Sequence, residues 1–363
     1  VAESNRLVDL VQARIERFLD ERSSIFLSIS EDLTPFAQFS RQFLSGGKRF
    51  RALFCYWGWQ SCSAGEDPRE FDAAIAAAAA LEVFHAAALV HDDIIDRSDT
   101  RRGAPAAHKR FGSLHTEQGY AGSATDFGTA AAILLGDLLL GWSDELLDEG
   151  LALPADRLRA AATRAQFNRM RTEVTAGQYL DILEERAWNT LSPEDVMTHA
   201  QRVIIYKSAK YSVQAPLLIG ASIAGARVGQ LDSLREFGLP LGIAYQLRDD
   251  LLGVFGDESV TGKPSGDDLL EGKRTVLIAL ARKNLPSTAG RLLDELLGDP
   301  TLDAGQIAML QQTISASGAV DEMEKLITSN VDRANAALDE ASLSTESIAA
   351  LRSLTQSVTD RSA

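Results

Sequence analysis

Residues 73–88 read AAIAAAAALEVFHAAA. Wound as a helix, this stretch shows no polar stripe, because Glu82 and His85 are its only polar side chains. A helix that is apolar on all faces has to be surrounded by other elements. The chain is therefore committed to a sizeable core with this segment inside it. Nearly everywhere else, apolar residues recur at spacings of three and four, the helical period. No run alternates as a half-buried strand does. The fold class predicted is all-α, with helices over 2–22, 34–45, 49–63, 70–97, 124–149, 155–186, 192–206, 208–226, 228–255, 267–284, 287–298, 303–316, 319–341 and 344–358. Breaks fall at SGGK, AGEDPREF, RRGAPAAHKRFG, LPADR, LSPED, DESVTGKPSGDD and GDPTLDAGQ. Each is short and lies between helices, so one domain over 1–363 is the economical organisation. Residues 301–363, polar and rich in Ser and Asp, are expected to form peripheral C-terminal helices.

Charge narrows the partners. With 51 acidic against 36 basic residues the net charge is −15, which argues against nucleic acid as a partner. No uninterrupted apolar run reaches the roughly 18 residues that span a bilayer, so no membrane span is expected. The first 22 residues, VAESNRLVDLVQARIERFLDER, are charged throughout and do not form a signal peptide. Cys55 and Cys62 are the only cysteines. On one helix they stand about 10 Å apart, too far for a disulfide, which fits a reducing cytoplasm.

The apolar stretch ends in LVHDDIIDRSDTRRG (89–103). Asp92 and Asp96 fall one helical turn apart on the same face. Like charges there repel, and a helix C-terminus prefers cations. Divalent cations between them resolve the conflict, and hard oxygen ligands select magnesium or manganese over zinc. The bland alternative, a solvated acidic helix end capped by Arg101 and Arg102, carries similar weight for this motif alone. A second cluster changes the balance. Asp249 and Asp250 in GIAYQLRDDLLGVFGD (242–257) again end an apolar helical stretch, with Asp257 beyond. Two such ends suggest helices facing each other across a cavity and chelating metal from both sides. Basic residues gather beside glycines: Lys48, Arg49 and Arg51 in SGGKRFRA, Arg101 and Arg102 in TRRG, Lys207 and Lys210 in YKSAK, Lys263 in TGKPSGDD, Lys273 and Arg274 in EGKRT. Arginine forks and lysine point charges suit phosphate oxygens. As a set around two carboxylate pairs they suggest a diphosphate bridged through magnesium.

The motifs GGKRFR, HDDIIDRSDTRRG, GQYLD, YKSAKYS, YQLRDDLLGVFGD and TGKPSGDDLLEGKRT stand in one order over residues 30–300. In that order the chain resembles the trans-type isoprenyl diphosphate synthases. The resemblance implies a helical bundle around a central apolar cavity. It implies a head-to-tail prenyltransferase joining isopentenyl diphosphate to allylic diphosphates, acting as a homodimer with three magnesium ions once substrate is bound. Asp92 and Asp96, supported by Asp93, match its first metal ligands; Asp249, beside Asp250, matches the second. Arg101, Lys207 and Lys263 match the allylic diphosphate side, Gln246 lies close to them, and Ser208 stands where the family often has Thr. Lys48, Arg51, His85 and Arg102 match the isopentenyl diphosphate side, and Lys273 matches a further phosphate-facing position. The second motif carries Gly253 where a fifth-position aspartate would complete it. A bulky residue four or five before the first aspartate limits the product in this family. Those positions are Ala88 and Ala87 here, and Phe84 is the next bulky side chain, which favours a product of about 20 carbons, geranylgeranyl diphosphate. A longer-chain synthase, a farnesyl diphosphate synthase, a terpene cyclase and a non-catalytic synthase subunit are the alternatives.

Overall fold

In the computed structural model, residues 2–65, 67–101, 103–154, 156–257 and 265–359 are described. The helices in chain order are α1 (Ala2–Ile29), α2 (Thr34–Phe43), α3 (Phe50–Cys62), α4 (Pro68–Ile95), α5 (Ala107–Glu117), α6 (Ala124–Leu151), α7 (Arg157–Ala187) and α8 (Pro193–Val203). They continue with α9 (Ala215–Ile223), α10 (Val228–Phe255), α11 (Asp267–Glu271), α12 (Val276–Asn284), α13 (Ser287–Leu296), α14 (Ala304–Ala316), α15 (Ala319–Asp339) and α16 (Thr345–Thr359). Among the described residues the β-structure is one two-residue pair, Thr100–Arg101 against Ala104–Pro105. The all-α expectation is met.

Several elements differ from the predicted ones; α1, expected to end at 22, runs on to Ile29. RRGAPAAHKRFG, read as a break, holds the start of α5. The breakers Gly103 and Pro105 end just before it, and its buried residues are only Ala107, Phe111 and His115, too sparse a stripe to announce a helix. The predicted helix 267–284 is split into α11 and α12 by Gly272, which sits at φ 79°, a left-handed conformation that suits glycine.

The chain forms two compact units, Val1–Gln166 with Pro216–Ala226, and Phe167–Ala215 with Arg227–Ala363. The first crossing falls inside α7, where no composition change could mark it. In the first unit α4 is the central element. Asp67 caps it, its Oδ1 accepting from the Arg69 amide at 2.9 Å. Every residue from Ala73 to Phe84 is buried. Alanines let neighbours come close, and α6 does so at glycines: a Cβ at Gly150 would overlap the Ala76 methyl, and one at Gly136 the His91 ring. In the second unit Leu247, Leu251 and Val254 of α10 share a core with Met323 and Ile327 of α15. That helix is less peripheral than its polar composition predicts, because Ala319, Met323, Ile327, Ala334 and Leu338 repeat on one buried face.

By length and composition α4 and α6 could each cross a membrane. Counting only uninterrupted apolar runs misses both, since 18-residue windows tolerate a charge or two. The apolar window of α4 is 83% buried inside the structure, that of α6 only 28%. The hydropathy of α4 is therefore spent on the core.

Candidate active site

Beyond Phe84 one face of α4 opens. His85, Ala88, Leu89, Asp92 and Asp96 are partly exposed, whereas Ala86, Ala87, Val90 and Asp93 stay buried. The open positions repeat every three or four residues and form one stripe. Asp92 and Asp96 lie on it, as the spacing predicts. Asp93 does not: its side chain is 1% exposed and accepts from Arg101 Nε at 2.8 Å. Arg97 at φ 57° turns the chain back, and the short β pair brings in Arg101. The Arg101 guanidinium also lies 3.9 Å from Asp92. Within HDDIID, then, two carboxylates line the open stripe and the third anchors an arginine. Arg102 and Lys263 lie outside the described residues.

The glycine loop before α3 divides its three cations. Gly46, Gly47 and Arg49 adopt positive φ of 69°, 89° and 51°. Arg49 is buried; it donates to Glu82 at 3.2 Å, to Gln12 Oε1 at 2.6 Å and to the Leu44 carbonyl. The other Glu82 oxygen accepts from the Ala52 amide at 3.1 Å. Glu82, the acid in the apolar run, is the loop's anchor, a role the sequence did not disclose. Lys48 is left exposed and Arg51 half-buried. His85 follows Glu82 by three residues on the same helix and so stands within a turn of that loop's anchor.

In the second unit, Ile204–Gln214 is π-helical rather than the start of a new α-helix. Such wide turns are rare and concentrate at functional sites. Two glycines grip it: a Cβ at Gly177 of α7 would strike the Lys207 backbone, and one at Gly242 of α10 the Ala209 backbone. Lys207 Nζ donates to Asp181 at 2.5 Å, which gives GQYLD a partner. Lys210 reaches Glu173 at 3.0 Å and lies 4.5 Å over the Tyr206 ring. Ser208 sits half-buried in the same segment.

At the end of α10, Asp249 is exposed and Asp250 buried. Gln246 Nε2 donates to Asp250 Oδ1 at 2.8 Å, one turn away. Asp250 Oδ2 is buried with no hydrogen-bond partner. Burial first, then the charges of Asp268 and Asp249, hold the Asp250 carboxyl well above the ordinary aspartate range, against the Gln246 hydrogen bond. Gly253 explains where the missing carboxylate went: a Cβ there would collide with the carboxylate of Asp268, which occupies its place. Asp268 comes from α11, in GDDLLEGKR. The sequence reading missed it; the only signal was an unassigned acid pair five and six residues before Lys273. Lys273 Nζ pairs with Glu271 at 2.5 Å and with Asp268 at 3.5 Å. Asp257 is exposed beyond the end of α10.

Among the described residues, no three His, Cys, Asp or Glu side chains converge to hold a metal by themselves. Magnesium does not ask for that; it takes one or two carboxylates and completes its shell with water and phosphate oxygens. The donor sets are all hard oxygens, and the buried, unpartnered oxygen of Asp250 is one that a cation nearby would compensate. The residues present fit the ion.

Phe84 is 4% exposed and Ala87 fully buried. At about 100° per residue, Phe84 lies roughly 80° around α4 from Asp92. His85 and Ala88 fall closer to that line, and so does Leu81, which is 0% exposed.

Two acidic helix ends, each set among cations on an all-α frame, define a protein built to handle diphosphates. The polyprenyl synthetase family model matches residues 34–314, and the chain belongs to that family. It is 32% identical to a geranylfarnesyl diphosphate synthase from Aeropyrum pernix over 310 residues, 85% of this chain and 88% of the relative. It is 30% identical to a geranylgeranyl diphosphate synthase from Methanosarcina mazei, over 81% of this chain and 80% of the relative. Among solved structures, a geranylgeranyl pyrophosphate synthase from Corynebacterium glutamicum, complexed with isoprenyl diphosphate and magnesium, is 38% identical. It superposes with a TM-score of 0.93 over 98% of this chain and 99% of that one.

Proposed function

We propose that the chain is a magnesium-dependent head-to-tail prenyltransferase that condenses isopentenyl diphosphate with allylic diphosphates to about 20 carbons. The observation that carries the metal-diphosphate reading is the carboxylate of Asp250. It is buried with one oxygen unpartnered, next to the exposed Asp249 and to Asp268. Asp92, Asp96 and Asp249 would hold magnesium, which would neutralise charge on a departing diphosphate. The chain's own groups act alongside. Arg101, Lys207 and Lys273 present cations that exchange their internal carboxylate partners for phosphate oxygens. Lys48 and Arg51 bind the second diphosphate, and His85 lies near them on α4. The apolar stripe of α4 below Asp92 excludes water from the carbocation that ionisation produces. Family membership and the geranylgeranyl synthase relatives support the reaction and the product class. The exposed apolar residues Phe127, Ile133 and Leu134 on α6 support a homodimer through that helix.

The test is incubation with isopentenyl diphosphate and each allylic primer, with magnesium or with a chelator, followed by chromatography of the dephosphorylated products. A main product of 20 carbons that requires magnesium is expected. Absence of elongation with every primer contradicts the proposal, as does elongation that survives chelation.

A further inference from the structure

The second unit contains a cavity that the reaction does not use. It has a volume of about 230 Å³ and is lined by Trp188, Leu191, Val196, Ile278 and Ala279 together with Arg274, Arg282, Lys283 and Asp294. At about 30 Å³ per water it has room for a small organic molecule and not merely a solvent site. Ile278, Ala279, Arg282 and Lys283 form one face of α12, with its N-cap Thr275 continuing the three- and four-residue spacing. The 3₁₀ turn Trp188–Thr190 and α8 face it.

The polar side of this cavity is cationic. Three positive side chains line it with one carboxylate, Asp294, which bridges Arg274 at 3.3 Å and Arg282 at 2.6 Å, and the charge of Glu185 also acts on Arg274. The Arg274 side chain is 8% exposed, its guanidinium stacks 3.8 Å over the Trp188 ring, and its Nε is buried without a hydrogen-bond partner. Asp294 meets one end of this desolvated guanidinium, and the Nε donor left over is costly unless a further acceptor reaches it. Burial does pull its protonation below the usual arginine range, opposed by Asp294 and by the charge of Glu185. The remaining lining is aliphatic, of the size of a branched chain of a few carbons.

We propose that this cavity is a second diphosphate site. Its head-group contacts are Arg274, Arg282 and Lys283, and Leu191, Val196 and Ile278 take any short branched carbon body. The diphosphate has two sources in the reaction, the substrate isopentenyl diphosphate and the released inorganic diphosphate; this choice of ligand rests on the proposed function. Arg274 directly follows Lys273, whose ammonium pairs with Asp268 and Glu271 at the second acidic end. Occupancy of the cavity therefore bears on Lys273 through one peptide unit and acts as inhibition by excess substrate or by product.

Trp188 lines the cavity and reports its occupancy. The protein is titrated in chelator with isopentenyl diphosphate and separately with inorganic diphosphate, following tryptophan emission, with Trp188→Phe as the background. A saturable change that disappears in Trp188→Phe is expected. Lys283→Gln, an exposed change, and Arg282→Gln each remove one charge-assisted contact and raise the dissociation constant about tenfold. The same variants relieve inhibition at high substrate and leave turnover at low substrate unchanged. Equal affinity for the two ligands assigns the site to released diphosphate; tighter binding of isopentenyl diphosphate assigns it to the substrate. A signal that persists in Trp188→Phe overturns the proposal, as does a dissociation constant unmoved in both charge variants. The titration needs no turnover, so it reads occupancy of the cavity equally well in a protein that fails to elongate any primer.

Discussion

The two acidic helix ends look alike in sequence and solve opposite electrostatic problems. At the end of α4 the buried aspartate, Asp93, is matched by an arginine of its own chain. At the end of α10 the buried aspartate, Asp250, has a neutral glutamine on one oxygen and, among the described residues, no arginine paired with it, and two more carboxylates raise its proton affinity against the weaker pull of Lys273. Asp93 is paired with a cation before any ligand arrives, while Asp92 and Asp96 stay on the open stripe. The second end is kept at a cost that a bound cation removes. A repeated Asp-Asp pair is therefore not a repeated function: its second member is a structural anchor on one helix and an unsatisfied acid on the other.

The largest effect that tests this contrast is on turnover. Asp92→Ala and Asp249→Ala each remove a carboxylate proposed to hold magnesium and should lower turnover by about 10²–10³-fold, with helical content unchanged. Steady-state rates with circular dichroism check it; near wild-type turnover in either variant would remove that end from the chemistry. Stability should then separate the buried partners in sign. Asp93→Asn leaves Arg101 with the more distant Asp92 at 3.9 Å and should cost about 2 kcal/mol, reduced from the value for a fully buried pair because Arg101 is 19% exposed. Asp250→Asn removes a desolvated charge and should stabilise the metal-free protein by about 1 kcal/mol.

That second difference carries a pH signature. The folded-state proton affinity of Asp250 is raised above its unfolded value of 3.8. Protonation therefore favours the fold: this stability is present below the unfolded pKa and is lost as pH rises through the folded one. The advantage of Asp250→Asn over wild type should grow as pH rises through the folded-state value and vanish toward acid. Denaturant midpoints of the two proteins across pH measure it, and a constant difference would refute it.

Legibility in the sequence followed the same division. Periodicity placed α10 at 228–255 without error, and it found most other helices within a few residues, because a one-sided apolar stripe is a local property. It also placed Asp92 and Asp96 on one face. It could not find Glu82 as the partner of Arg49, or Asp268 as the substitute at Gly253, since both depend on which distant segment the fold brings in. Nor could it show that Ile204–Gln214 widens to a π-helix, with Gly177 and Gly242 letting two other helices approach its backbone.

Gly253 sharpens the comparison further. Gly253→Asp would complete the sequence motif, yet its side chain competes with Asp268 for one place. It should lower turnover by about tenfold, and adding Asp268→Gly should recover part of it. An active Gly253→Asp single variant would show that Asp268 does not stand in for the missing acid. The smallest effect is on product length. Ala88→Phe adds bulk to the open stripe and should shift the main product toward fewer carbons with little loss of rate. Phe84→Ala should mainly cost stability, about 3 kcal/mol, because Phe84 is buried in the core. A longer product from Phe84→Ala would return that residue to the tunnel floor.

The central claim is that the α10 end holds an acid in reserve for a cation with its diphosphate. Thermal melting of wild type and Asp250→Asn, each alone and with magnesium plus inorganic diphosphate, tests it most directly. Asp250→Asn is expected to melt higher than wild type when both are alone, and the ligands to stabilise wild type much more than the variant. Equal ligand-induced shifts in the two proteins, or a less stable variant in the absence of ligands, would contradict it.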